Sequence, residues 1–106
     1  MNISEIRHIA YQMLKSLSFL KKHSIVHCDL KPENILLKNR HSKKDIKVID
    51  FGSACFEKEK LHTYIQSRFY RAPEVILGLG YSPCVDIWSF GCMIAEIYNG
   101  TRSTNS

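Results

Sequence analysis

Two carboxylates, an amide and a lysine stand close together in the first half of this 106-residue chain. The run His27-Cys28-Asp29-Leu30-Lys31-Pro32-Glu33-Asn34 carries Asp29, Lys31 and Asn34, and Asp50-Phe51-Gly52 carries the second carboxylate. Carboxylate and amide oxygens are hard donors of the kind that small divalent cations take. A carboxylate also accepts a proton, and a lysine offsets negative charge. Such a set works by positioning and by neutralising charge rather than by covalent attack. Two further runs follow in order, Ala72-Pro73-Glu74 and Asp86-Ile87-Trp88-Ser89-Phe90-Gly91.

These residues need elements to hold them. Residues 3–22 predict an amphipathic helix, because Ile3, Ile6, Ile9, Ala10, Met13, Leu14, Leu17 and Leu20 recur at three- and four-residue steps. Asn2 followed by Glu5 reads as a capping box, and Lys21, Lys22 and His23 place positive charge at the far end. Pro32 breaks any helix in the polar stretch 27–34, which reads as a loop. Ile35-Leu36-Leu37 and Ile46-Lys47-Val48-Ile49 read as two short strands joined as a hairpin by the basic stretch Lys38–Lys44. Asp50 to Tyr70 has no clean period and reads as a long loop, a class that is often functional. Val85 to Tyr98 is apolar almost all round, so a buried helix is expected, with Gly100 at its C-cap. A central helix of that kind needs more surrounding protein than this chain supplies comfortably, and both ends read as cuts through a larger domain. Residues 101–106 are polar and read as a frayed tail.

Composition narrows the class. A hydrophobic fraction of 44% and a charged fraction of 24% are those of an ordinary globular chain. No apolar run reaches membrane-spanning length, and Met1-Asn2-Ile3-Ser4-Glu5 lacks the start of a secretory signal. Cys28, Cys55, Cys84 and Cys92 form no C-x-x-C pair, which argues against structural zinc and for a reducing compartment, cytoplasm or nucleus. The two N-x-S/T triplets, at Asn2 and Asn99, read as chance matches in such a compartment. A net charge of +5 raises nucleic-acid binding, but the most basic stretch is the turn between two strands, so no nucleic-acid partner is expected.

The four runs, in this order and context, resemble the catalytic loop, the metal-binding D-F-G, the A-P-E and the central helix of protein kinases. The longer stretches His27–Leu37, Val48-Ile49-Asp50-Phe51-Gly52-Ser53-Ala54-Cys55 and Tyr64-Ile65-Gln66-Ser67-Arg68-Phe69-Tyr70-Arg71-Ala72-Pro73-Glu74 are similar to the dual-specificity tyrosine-regulated kinases, the DYRK/Yak branch of the CMGC group. The likeness runs over residues 3–100. It implies an α+β, protein-kinase-like fold, partial and mainly of the helical C-terminal lobe, as one domain over 1–100. It implies ATP and Mg²⁺ as cofactors and proteins as substrates.

On the family's pattern, Asp29 takes or orients the substrate hydroxyl proton and Lys31 lies along the transferred phosphate. Asn34 and Asp50 hold magnesium, and Leu36 lies beneath the adenine. Gly52 lets the chain turn where a side chain would clash. His27 and Phe51 are internal spine residues, and Glu74 and Asp86 are structural. Ser67 hydrogen-bonds Asp29. Glu33, Ser67, Arg68 and Arg71 line the activation segment and substrate groove. Tyr64 is the expected phosphorylation site, gripped by Arg68 and Arg71.

Departures from the pattern qualify this reading. Cys28 stands where arginine is usual in H-R-D, as it does in this branch. His62-Thr63-Tyr64 lacks the first tyrosine of the branch's Y-x-Y. The chain carries no Gly-rich phosphate loop, no strand lysine and no partner glutamate. The expectation is a serine/threonine kinase with tyrosine autophosphorylation in the parent protein, with the fragment inactive alone. The alternative is a kinase-derived interaction module without catalysis.

Overall fold

The computed structural model describes residues 2–39, 42–57 and 65–100, without the side chains of 37–39 and 42–44. The first helix, α1, spans Ile3–Lys22, as its periodicity predicts. Its start is a complete capping box: the Glu5 N–H donates to Asn2 Oδ1 at 2.9 Å, and the Asn2 N–H donates to Glu5 Oε1 at 3.2 Å. Such a cap contributes roughly 1 kcal/mol. The buried stripe is Ile6, Ile9, Met13, Leu17 and Leu20, narrower than the sequence suggests, because Ile3 and Leu14 face outward.

After α1 the chain enters β1 (Ile25–Val26) and the loop that carries Asp29, then a 3-10 turn at Pro32–Asn34. The expected hairpin is present as β2 (Ile35–Asn39) and β3 (Ser42–Val48), antiparallel, with Ile35 opposite Val48 and Leu37 opposite Ile46. Its strands run further into the basic stretch than the apolar residues alone suggest, with a register shift between Leu37 and Asn39. The hairpin is seated on α1. Gln12 Oε1 accepts from the Ile46 N–H at 3.0 Å, and His8 Nε2 lies 3.3 Å from Asp45 Oδ1.

Within the predicted long loop, Cys55–Phe56 forms a short strand, β4, antiparallel to β1. Two residues are too few to show a period, so the sequence does not reveal it. A second 3-10 turn, Arg68–Tyr70, leads to α2 (Pro73–Ile76), and α3 spans Cys84–Asn99 with Gly100 left-handed at its C-cap. The tail 101–106 lies outside the described residues.

Two apolar clusters hold these elements. One packs Ile9, Met13 and Leu17 of α1 with Leu30, Ile46, Tyr70 and Met93. The other joins Val26, Cys28, Cys55, Ile65, Ala72, Val75, Tyr81 and Val85. The site-bearing loop therefore runs between the two cores. The prediction of a fully buried α3 is corrected. Val85, Asp86, Ser89 and Met93 are buried, but Ile87 and Trp88 are each 47% exposed, because only one face of the helix meets the rest of this chain.

Candidate active site

Asp29 is the centre of the arrangement. Ser67 Oγ donates to its Oδ1 at 2.7 Å, and Lys31 Nζ lies 3.6 Å from its Oδ2. Asn34 Nδ2 donates to the Asp29 carbonyl at 2.8 Å. The hydrogen bond expected between Ser67 and Asp29 is thus present, across 38 residues of sequence. One acid oxygen faces a hydroxyl and the other a cation, while the backbone is tied down behind them.

The loop is braced from below by Asp86, which is 1% exposed. Its Oδ2 accepts the His27 N–H at 2.7 Å and its Oδ1 the Cys28 N–H at 3.2 Å. Burial pushes the Asp86 carboxyl above its ordinary range, and the two N–H donors pull it back only in part. His27 is fixed in one neutral tautomer by its partners: the Asp29 N–H donates to Nδ1 at 3.2 Å, so Nε2 carries the proton and donates to the Ile49 carbonyl at 3.0 Å. Its ring meets Phe51 edge-on, with centroids 4.7 Å apart.

Strain marks the same place. Four non-glycine residues among those described have left-handed backbone, and Cys28 (φ 76°), Asp50 (φ 61°) and Gln66 (φ 72°) belong to the site, with Ser24 outside it. Each costs roughly 1–2 kcal/mol and persists only where neighbours over-determine it. Asp86 does so for Cys28. At Asp50 the following glycine helps: Gly52 N–H donates to Asp50 Oδ1 at 3.4 Å, and a Cβ on Gly52 would come within 3.3 Å of that oxygen.

The donor set suits magnesium. The Ile49 N–H donates to the Asn34 carbonyl at 2.8 Å, which brings the chain at Asp50 beside Asn34. Asn34 is 4% exposed, and its Nδ2 is engaged by Asp29, so Oδ1 is the atom it has to offer a cation. One carboxylate and one amide oxygen match an ion that keeps waters and takes substrate phosphates. Among the described residues no group of three His, Cys, Asp or Glu forms a closed cage.

The remaining expected residues are placed as follows. Leu36 is on β2 with its side chain 47% exposed, and Glu33 is exposed on the 3-10 turn. Glu74 is half-buried in the first turn of α2. Arg68 is exposed, with its guanidinium carbon 5.6 Å from the Phe69 ring centroid. Arg71 donates from Nε to the Ile65 carbonyl at 3.0 Å and from Nη2 to the Gln66 carbonyl at 2.8 Å. Tyr64 lies outside the described residues.

Sequence reasoning missed Gln66 and Ser89. Gln66 Nε2 donates to the Val85 carbonyl at 2.7 Å and to Ser89 Oγ at 2.8 Å, and its Oε1 accepts the Ala72 N–H at 2.7 Å. Ser89 Oγ in turn donates to the Tyr70 carbonyl at 2.7 Å. Together they tie residues 66–72 to α3 and so fix Ser67 against Asp29. The only signal was a polar serine in the apolar helix, with nothing in the sequence to name its partner.

Comparison with known proteins gives the family of the chain. The profile of the protein kinase domain family matches residues 1–105. The chain is 61% identical over 99 residues to the human dual specificity tyrosine-phosphorylation-regulated kinase 3, a match covering 93% of this chain and 17% of that protein. It is 59% identical over 99 residues to the Drosophila melanogaster dual specificity tyrosine-phosphorylation-regulated kinase 2, covering 93% of this chain and 14% of the relative. The probable serine/threonine-protein kinase dyrk2 of Dictyostelium discoideum is also 59% identical over 99 residues, with 93% of this chain and 11% of the relative covered. The chain thus spans about a sixth or less of the length of these relatives. The profile match over the site and both of its cores shows that the chain belongs to the protein kinase domain family, on the branch of the dual specificity tyrosine-phosphorylation-regulated kinases.

Proposed function

We propose that residues 1–100 are the catalytic-loop, activation-segment and central-helix part of the helical lobe of a kinase that phosphorylates protein serine and threonine hydroxyls from ATP. The observation that carries the reading is the double engagement of Asp29, by Ser67 Oγ at 2.7 Å and Lys31 Nζ at 3.6 Å. Asp29 accepts the proton of the substrate hydroxyl as the phosphoryl group leaves, and Lys31 offsets the charge on that group. Ser67, held through Gln66, keeps the acid oriented. Asn34 and Asp50 would hold magnesium, which when bound neutralises the phosphates. Leu36 supports the adenine, and Glu33 and Arg68 face the substrate from the groove rim.

The same reading makes Tyr64 the autophosphorylated residue, with Arg68 and Arg71 its partners. Support comes from Cys28, which removes the arginine otherwise available to an activation-segment phosphate, and from Arg71, whose guanidinium already anchors residues 65 and 66. The cysteine pattern supports a reducing compartment, cytoplasmic or nuclear.

A chimera tests the function. Residues 1–100 replace the matching segment of the human relative, and transfer to a serine/threonine peptide is followed with magnesium-ATP. Turnover that disappears with Asp29→Asn is the expected result. A chimera that folds and binds nucleotide but transfers nothing would favour the non-catalytic module.

A further inference from the structure

Gln12 takes no part in the chemistry, yet both ends of its amide are used. Its Oε1 accepts the Ile46 N–H at 3.0 Å, and its Nε2 donates to the His8 carbonyl at 3.3 Å, one turn back along α1. The amide is braced by its own helix and reaches out to one residue of β3. The His8 ring reaches the neighbouring residue, with Nε2 3.3 Å from Asp45 Oδ1. Asp45 is the only carboxylate of β3.

These contacts fall where the hairpin needs them. From Ile35 with Val48 to Leu37 with Ile46 the strands stay in step, but the next pair is Asn39 with Ser42. Between those pairs β2 has one residue, Lys38, and β3 has three, Lys43 to Asp45. A bulge of this kind uncouples the register on its two sides. The turn beyond it therefore does not dictate which residue of β3 stands opposite Leu37. Ile46 is the first residue on the site's side of the bulge, and it is the one that Gln12 holds. Burial of Ile46, in one cluster with Ile9, Met13 and Leu17, settles which face of β3 points inward. It does not settle a slip of two residues, which keeps the alternation of faces. Such a slip can bring Val48 to the place of Ile46 at little apolar loss. Yet a slip of two in either direction puts a lysine, Lys43 or Lys47, before His8 in place of Asp45. It also carries Asp50 about 6–7 Å along the sheet from Asn34.

We propose that Gln12 and His8 are positioning residues, a two-point clamp on α1 that sets the register of β3 and so holds Asp50 beside Asn34 for magnesium. Gln12 ties the backbone, and His8 selects the residue before it. Beyond Val48 the chain has one more tie on each side of Ile49: its N–H donates to the Asn34 carbonyl at 2.8 Å, and its carbonyl accepts from His27 Nε2 at 3.0 Å. A register set at Ile46 is thus delivered to Asp50 four residues later. What Asp50 does there rests on the function proposed above, whereas the clamp does not depend on it.

The chimera is read twice, by hydrogen exchange of residues 46–50 with mass spectrometry and by the magnesium concentration that gives half-maximal transfer. Gln12→Leu keeps the size of the side chain and removes the amide. It is expected to speed exchange in this segment by about twofold to tenfold, the factor that one ordinary hydrogen bond sets, and to raise the magnesium requirement by a similar factor. His8→Glu faces Asp45 with like charge and acts in the same direction, while His8→Lys restores the opposite charge and returns both readings toward the parent. The side chains of His8 and Asp45 are 41% and 44% exposed, so these changes leave the core intact. Unchanged exchange in both Gln12→Leu and His8→Glu overturns the clamp. Faster exchange with an unchanged magnesium requirement overturns the link to Asp50 and leaves Gln12 a support of the hairpin alone. A parent chimera that transfers nothing refutes the proposed function instead, and exchange still decides the clamp.

Discussion

Ser67 Oγ and Asp29 Oδ1 lie 2.7 Å apart, although 38 residues of chain separate them. The contact holds one oxygen of the carboxylate in place, as the proposed base requires. A hydrogen bond to a charged group contributes roughly 1.5–3 kcal/mol, and each 1.36 kcal/mol is about a factor of ten in rate. In the chimera, Ser67→Ala is expected to lower kcat by about tenfold to a hundredfold, with Ser67→Thr keeping most of the activity. Steady-state kinetics check this, and an alanine variant with an unchanged kcat refutes the orienting role.

Asp29 and Asp50 separate by the parameter they move. Losing a positioned base costs about 10² to 10⁴ in rate, so Asp29→Asn lowers kcat by that range while nucleotide still binds. Asp50→Asn acts on the ion, so the magnesium concentration needed for half-maximal activity rises. Magnesium titrations of both variants, with nucleotide binding read by fluorescence, check the assignment. The reverse pattern would exchange the two roles.

The Asp86 brace has a pH signature. Its carboxyl is raised by burial above the ordinary 3.8, so the folded chain holds that proton to higher pH than the unfolded chain. The stability this group contributes is therefore greatest below about 3.8 and falls as pH rises through its folded value. Asp86→Asn has no such slope. It also presents one amide N–H₂ to a backbone donor, so the variant is less stable at every pH by roughly 1–3 kcal/mol. Urea unfolding of chimera and variant from acid to neutral pH checks both statements, and parallel curves for the two proteins contradict the first.

Much of this was legible from the sequence, for a definite reason. The helix α1 carries its own period and capping box, and the hairpin carries two apolar runs around a polar turn, so local chemistry specifies both. The residues around Asp29 were legible only because their types and order match a known pattern. What stayed hidden was long-range. The ladder of Val26 with Cys55 involves strands of two residues, too short for any period, and the Gln66–Ser89 bond joins positions 23 apart. Neither residue's type announces its partner. The burial of α3 was overestimated because an apolar circumference states what a helix can bury, and not how much of that the present chain covers.

That uncovered surface has a consequence. It includes a groove of about 260 Å³ between α1 and the start of α3, whose apolar lining is Leu14, Leu17, Leu20, Ile25, Pro83 and Ile87. Exposed apolar area costs roughly 25 cal/mol per Å², and large patches drive association. The 106-residue chain alone is expected to bind a hydrophobic dye and to self-associate as its concentration rises. It is also expected to transfer no phosphoryl group. Dye fluorescence and sedimentation over a concentration series check the first part, and a monomer that leaves the dye dark at all concentrations contradicts it.

Gln66 offers the sharpest separation of two effects at one position. Its side chain makes three buried hydrogen bonds, and its backbone sits at φ 72°. Truncation to alanine strands the Ala72 N–H, which is 1% exposed at the residue level, and removes a donor from Ser89 and the Val85 carbonyl. An unsatisfied buried group costs about 1–3 kcal/mol. Alanine also keeps a Cβ in a left-handed backbone, a strain of roughly 1–2 kcal/mol. Glycine loses the same three bonds but relieves that strain, while it gives up about 0.4–1 kcal/mol through the freedom it adds to the unfolded chain. The relief is the larger number. Gln66→Gly is therefore expected to be more stable than Gln66→Ala by roughly 0.5–1 kcal/mol, with both below the parent. Because the same residue places Ser67, both variants also lose turnover, and by similar factors, since neither retains the amide. Equilibrium unfolding and kinetics of the two variants in the chimera decide the matter. If alanine proves the more stable, the left-handed backbone at Gln66 is not where the strain lies; if turnover survives in both, the amide does not position Ser67.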